Sequence, residues 1–201
     1  MLSVNVRQAP RSAVPWRLDG GHTVNKKDLS ERDICTKFIT PALTAAGWDI
    51  NSQVREQVFL TDGQVIVRGR MVRRGERKFA DYVLFYKPNI PIAVVEAKDN
   101  THRVGDGMQQ ALTYAEMLGV PSVYSSNGDG FLEHDRSGQQ RRPEHELSMD
   151  AFPSPAELWK RYCTWKGISG ASLPTVTQDY LPRRQRQAAA LLPEQGHQRR
   201  G

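Results

Sequence analysis

Two apolar stretches, Ala80-Asp81-Tyr82-Val83-Leu84-Phe85 and Ala93-Val94-Val95-Glu96-Ala97-Lys98, each carry charged side chains inside what otherwise reads as a β-strand. Strand interiors disfavour Asp, so a charge there needs a reason. Tyr82–Tyr86 and Ile90–Val95 are β-rich, and the Lys87–Pro91 link between them is short enough for a hairpin. Centred between Pro88 and Asn89, that hairpin pairs residues whose numbers sum to 177, which sets Asp81 opposite Glu96. Side chains alternate along a strand, so Glu96 and Lys98 share one face and Ala97 points to the other.

Two carboxylates at cross-strand distance repel unless something positive lies between them. A divalent ion such as Mg²⁺ takes oxygen ligands, is held by one or two carboxylates and keeps several waters, which suits this pair. Such an ion can bind a phosphate oxygen, acidify water and stabilise the charge that develops during phosphodiester attack. Lys98 then lies within reach of the nucleophile, to orient or deprotonate it. The competing reading is a structural salt bridge, with Glu96 or Asp81 paired to Lys98 on a solvated sheet face.

The rest of the chain fits around these strands. Residues 1–29 are polar and turn-rich, with Gly20–Gly21 and no sustained period, and read as a loosely ordered arm. Ser30 with Asp33 resembles a capping box, and Ile34, Phe38, Leu43 and Ala46 give a helical stripe up to Gly47, bent or split at Pro41. From 53 to 98 the period changes to an antiparallel meander, with turns at Asp62–Gly63 and Arg74–Gly75. Met108, Ala111, Leu112, Ala115 and Leu118 then form a helix stopped by Gly119, followed by a short strand over Val120–Tyr124. A strand, a helix and a strand make a crossover, so the later strand should run parallel to one in the meander. Phe131–His134 reads as a strand after the Asn127–Gly130 turns, Gln139–Met149 as a polar linker, and Ser154-Pro155-Ala156-Glu157 as the cap of a last helix running through Trp165. The expected fold is α/β: a mixed, mostly antiparallel sheet with one parallel strand after a crossover helix, flanked by helices.

Composition narrows the class. Of 201 residues, 38% are apolar before glycine is counted and 25% are charged, which argues against wholesale disorder. Cys35 and Cys163 make neither a disulfide framework nor a CxxC zinc motif. The first twenty residues hold no continuous apolar stretch, and no later run is long enough to span a bilayer, so an intracellular, cytoplasmic chain without a membrane partner is expected. The formal net charge is +6, of which +4 falls after residue 182, so global charge says little about a nucleic-acid partner. The local cluster Arg68, Arg70, Arg73, Arg74, Arg77 and Lys78 says more. At a hairpin tip these side chains suit phosphate contacts, which position a protein on DNA without reading sequence. A solvated edge guarded against aggregation is the alternative.

Taken together, a helix carrying Glu31, Asp81 on a strand, Glu96-Ala97-Lys98 on the next, and Gln110-Ala-Leu-Thr-Tyr114 on the following helix resemble the core of a PD-(D/E)xK nuclease. The runs Ser30 to Leu43 followed by Ala46-Gly-Trp-Asp49, Phe79-Ala-Asp-Tyr-Val-Leu84, Val95-Glu-Ala-Lys-Asp99 and Gly107 to Ala115 resemble more closely the N-terminal nuclease domain of type I restriction enzyme R subunits, over residues 30–166. The resemblance implies a restriction-endonuclease-like domain over 30–170 that cleaves duplex DNA with Mg²⁺, or Mn²⁺ in its place. Asp81, Glu96 and the Ala97 carbonyl would hold the ion, and Lys98 would be the catalytic lysine. Glu31 would orient water, although a helix N-terminus favours an acidic residue for its own reasons. Gln110 and Tyr114, on one helix face, would contact DNA or support the site, and Arg73, Arg74 and Arg77 would meet the backbone. A half-buried aromatic with its hydroxyl in water is the plainer reading of Tyr114. Type I modification and specificity subunits would be the partners.

One departure from that family stands out. R subunits continue into an ATP-dependent translocase, yet nothing here matches GxxxxGK[ST], so no ATPase is expected on this chain. Residues 171–201 read instead as a linker and basic tail. A non-catalytic docking or DNA-binding remnant and a stand-alone defence or repair nuclease are the alternatives.

Overall fold

In a computed structural model of the chain, residues 25–60 and 78–170 are described. The expected hairpin tip with Arg68, Arg70, Arg73, Arg74 and Arg77 lies outside them, as does the tail from 171. Among the described residues six strands form one sheet in sequential order: β1 (Val54–Leu60), β2 (Lys78–Lys87), β3 (Ile90–Ala97), β4 (Ser122–Ser126), β5 (Gly130–Asp135) and β6 (Glu144–Ser148). The β3–β4 pair is parallel and the other four pairs are antiparallel. The parallel step is spanned by helix α3 (Met108–Leu118).

The hairpin register is the one read from the sequence. Tyr82 pairs with Val95, Val83 with Val94 and Leu84 with Ala93, and the ladder becomes irregular only near the turn, where Asn89 adopts φ 71°. Alternation then sorts the side chains onto two buried faces. Tyr82, Leu84, Ala93, Val95 and Ala97 join Ile34, Leu43, Phe131, Leu158 and Trp159 on one face. Val83 and Val94 join Ala111, Tyr114, Ala115 and Val123 on the other, beneath α3. A sheet covered on both faces reads as nearly continuous apolar sequence, which is why the charges of β2 and β3 stand out.

The first helical segment is continuous but not uniform. Ser30 and Asp33 form a reciprocal capping box, with the Ser30 N–H donating to the Asp33 carboxylate and the Asp33 N–H to Ser30 Oγ, both at 3.2 Å. Helix α1 (Glu31–Ile34) passes through a π turn, Cys35–Ile39, into α2 (Thr40–Ala45). The Thr40 N–H reaches back five residues to the Cys35 carbonyl just before Pro41, which has no N–H to donate. The widened turn interrupts the helix next to Pro41 and leaves the proline in the first turn of α2, where a missing N–H costs least. Lys26–Asp28 forms a short 3₁₀ turn, and Lys26 donates to the Gly128 carbonyl and pairs with Asp129, both at 2.6 Å.

Two sequence expectations need correction. The stretch 139–149 is not wholly linker, because Glu144–Ser148 forms edge strand β6 against β5. Its alternating exposure leaves Glu144 and Glu146 in solvent, so the strand is polar enough to resemble a connection. Strand β4 begins at Ser122, two residues later than expected, and runs through buried Ser125 and Ser126. Both serines are satisfied: Ser125 Oγ accepts the Gly107 N–H, and Ser126 Oγ donates to the Gly130 carbonyl. Helix α4 (Pro155–Lys166) opens as expected on Ser154, whose Oγ accepts the Glu157 N–H. The Glu157 carboxylate pairs one turn on with Arg161 at 2.6 Å.

Candidate active site

The C-terminal end of β3 carries Glu96 and Lys98 toward α3, and the neighbouring strand β2 brings Asp81 beside them. Asp81 is 6% exposed and Glu96 1%. Continuing the Tyr82–Val95 register by one residue sets the two carboxylates on opposing positions. Asp81 Oδ2 accepts the Ala97 N–H at 2.9 Å, so its carboxylate is tied to the strand that carries Glu96. Asp81 Oδ1 accepts from Gln57 Nε2 at 2.7 Å.

Burial is the main reason that the Glu96 carboxyl is pushed up to about 8, and the negative charge of Asp81 adds to it. Lys98 works in the opposite direction, its Nζ donating to Glu96 Oε1 at 3.5 Å. Glu96 Oε2 is buried with no hydrogen-bond partner. A buried orphan oxygen is costly. It is also what a hard, oxygen-seeking cation would satisfy, and two carboxylates with water are a donor set that suits Mg²⁺. Among the described residues no group of three His, Cys, Asp or Glu side chains forms a metal cluster, so such an ion would depend on this pair, a backbone carbonyl such as that of Ala97, and water.

Lys98 is the junction of the site. Its ammonium lies 3.8 Å from Glu31 Oε2 and donates to Gln110 Oε1 at 3.3 Å, in addition to Glu96. Gln110 in turn donates from Nε2 to the Tyr114 hydroxyl at 2.8 Å, one helical turn on. Tyr114 is buried and its ring packs under the sheet, which anchors the chain Tyr114, Gln110, Lys98. Glu31, at the first position of α1, is raised above the usual carboxylate range by partial burial and by the charge of Asp81, with Lys98 opposing. A cavity of about 230 Å³ opens beside it, lined by Glu31, Cys35, Glu56, Gln57, Asp81 and Tyr82 among others.

Thus Glu31, Asp81, Glu96, Ala97, Lys98, Gln110 and Tyr114 come together, from α1, β2, β3 and α3. Arg73, Arg74 and Arg77 lie outside the described residues. His102 is exposed and its ring pairs with Asp99 at 3.1 Å. Two contributors escape the sequence reading. Gln57 sits in the polar run Arg55-Glu56-Gln57, where nothing marks one residue over its neighbours. Gly107 lies just before α3, where an added Cβ would meet Ser125 Oγ at 2.9 Å and Glu96 Cγ at 3.1 Å. The absence of a side chain there lets the helix start close against Glu96.

No protein-family model matches the chain. It is 50% identical over 158 residues to the type I restriction enzyme EcoAI endonuclease subunit of Escherichia coli, an alignment covering 78% of this chain and 20% of that protein. The chain thus spans about a fifth of the length of this curated relative. It also resembles the solved fragment of an HsdR subunit of a type I restriction enzyme from Vibrio vulnificus YJ016, with a TM-score of 0.64 and 44% identity, covering 77% of this chain and 29% of that one. Among the described residues no helix is long and apolar enough to cross a membrane. With half of the aligned positions identical in one comparison and the fold shared at 44% identity in the other, the chain is, over most of its length, a homologue of part of a type I restriction enzyme endonuclease subunit.

Proposed function

We propose that this chain carries the Mg²⁺-dependent nuclease centre of a type I restriction enzyme, hydrolysing phosphodiester bonds of duplex DNA in the cytoplasm when modification and specificity subunits deliver it to its substrate. The observation that carries this reading is the buried Asp81 and Glu96 pair, with one Glu96 oxygen lacking any partner and Lys98 poised beside it. Asp81 and Glu96 would hold the ion, with the Ala97 carbonyl as a further ligand. When bound, the ion supplies positive charge against the phosphate and acidifies water. Lys98 orients the attacking water and meets the charge that builds on the phosphate. Glu31, its carboxyl raised above the usual range by partial burial and by the charge of Asp81, accepts a hydrogen bond or, as the carboxylate, a proton from that water. Gln110 and Tyr114 keep the Lys98 ammonium at the mouth of the site, and the basic segment with Arg73, Arg74 and Arg77 holds the DNA backbone.

The test is conversion of supercoiled plasmid to nicked and linear forms by the purified chain with Mg²⁺ or Mn²⁺. A Lys98→Ala chain is prepared identically, and both are assayed again within a complex reconstituted with partner subunits. Metal-dependent cutting that Lys98→Ala lacks is expected in at least the reconstituted complex. Equal cutting by Lys98→Ala and the parent would overturn the reading.

A further inference from the structure

Strand β1 holds an irregularity beside Asp81. Glu56 pairs with Tyr82 and Val58 with Ala80, so the register is the same on both sides and no residue has been inserted. Between them, opposite Asp81, Gln57 takes φ 50°. A side chain with this backbone is strained, by roughly 1–3 kcal/mol for a residue other than glycine. Packing does not compensate, because Gln57 is exposed. What the turned backbone achieves is reach: Gln57 Nε2 donates to Asp81 Oδ1 at 2.7 Å.

The consequence for Asp81 follows from counting donors. The Ala97 N–H holds Oδ2 from β3 and Gln57 holds Oδ1 from β1, so the carboxylate is gripped from both neighbouring strands. Each oxygen keeps a lone pair, and rotation of the carboxylate plane would break one of the two bonds. We propose that Gln57 is a positioning residue, whose amide fixes the Asp81 carboxylate in the orientation that receives a divalent cation. This rests on the reading of Asp81 and Glu96 as the groups that hold the ion, and adds to it a residue supplied by the edge strand. Partners of this kind around a metal-binding carboxylate typically contribute ten- to a hundredfold in affinity.

The experiment is a Mn²⁺ titration followed by electron paramagnetic resonance on the parent chain, Gln57→Gly, Gln57→Met and Asp81→Asn, with thermal unfolding of each in EDTA. Glycine accepts the positive φ and removes only the amide, so Gln57→Gly is expected to melt at or above the parent temperature while binding Mn²⁺ about tenfold more weakly. Gln57→Met keeps the chain length without the donor and should weaken binding similarly, which covers the case in which Gln57→Gly folds poorly. Mn²⁺ binding by either folded Gln57 variant within twofold of the parent, with Asp81→Asn impaired, overturns the role of Gln57 and leaves the metal site standing. A parent that binds no Mn²⁺, or an Asp81→Asn chain that binds as well as the parent, overturns the metal site itself and this inference with it.

Discussion

Asp81 is fastened to the strand of its partner carboxylate: its Oδ2 accepts the Ala97 N–H at 2.9 Å, one residue past Glu96. A side chain that bonds to the neighbouring strand's backbone cannot swing away from the second carboxylate. The repulsion between the two acids is therefore built into the sheet, and it adds to the burial that raises the Glu96 carboxyl.

That raised carboxyl gives stability a pH dependence in the absence of metal. In the folded chain the Glu96 carboxyl stands near 8, against an ordinary value of 4.5, so between these values the folded chain retains a proton that the unfolded chain has released. Stability should then fall as pH rises from about 4.5 to 8. Urea unfolding in EDTA should show Glu96→Gln gaining roughly 2 kcal/mol relative to the parent across that range. A difference between the two that does not change with pH would contradict this.

Lys98 is held by Gln110, and Gln110 by Tyr114, so the cost of removing each should decline with distance from the phosphate. Plasmid cleavage under conditions where the parent cuts should fall by about 10²–10⁴-fold for Lys98→Ala. Gln110→Ala should lose about tenfold and Tyr114→Phe less. Equal losses for Gln110→Ala and Lys98→Ala would show that Gln110 does more than support the lysine.

Gly107 allows α3 to begin against the active strand. A methyl group there meets Ser125 Oγ and Glu96 Cγ well inside ordinary contact distance. Gly107→Ala should destabilise the chain by about 1–3 kcal/mol in chemical denaturation. Any displacement of α3 also moves Gln110, so cleavage should drop along with stability.

A second buried carboxylate tests how the far side of the sheet is held. Glu133 is 1% exposed, accepts from Tyr124 Oη at 2.9 Å and from Arg161 Nη1 at 2.6 Å, and lies 3.1 Å from His145. Arg161→Ala should cost about 3 kcal/mol, because a buried charge loses its main partner. In a Glu133→Gln background the same substitution should cost much less, and a double-mutant cycle measures the difference.

The sheet and its central pair were legible in the sequence because alternation and hairpin register are local rules. Four observed pairs obey the sum that places Asp81 opposite Glu96. The capping box at Ser30 and the left-handed stop at Gly119 likewise depend on neighbours a few residues away. Edge strand β6 was hidden because a strand packed on one face needs few apolar residues, and its pairing partner, not its composition, makes it a strand.

By itself the sequence determined which charged groups lie in apolar strands, their faces and their order along the chain, since these follow from a period of two and a short turn. Only the tertiary structure decided that Gln57 leaves ordinary strand geometry to grip Asp81, that Gly107 brings α3 onto Glu96, and that one Glu96 oxygen is left without a partner. Those outcomes depend on distances between segments far apart in the chain, set by packing of both sheet faces at once, and no local pattern of residues encodes them.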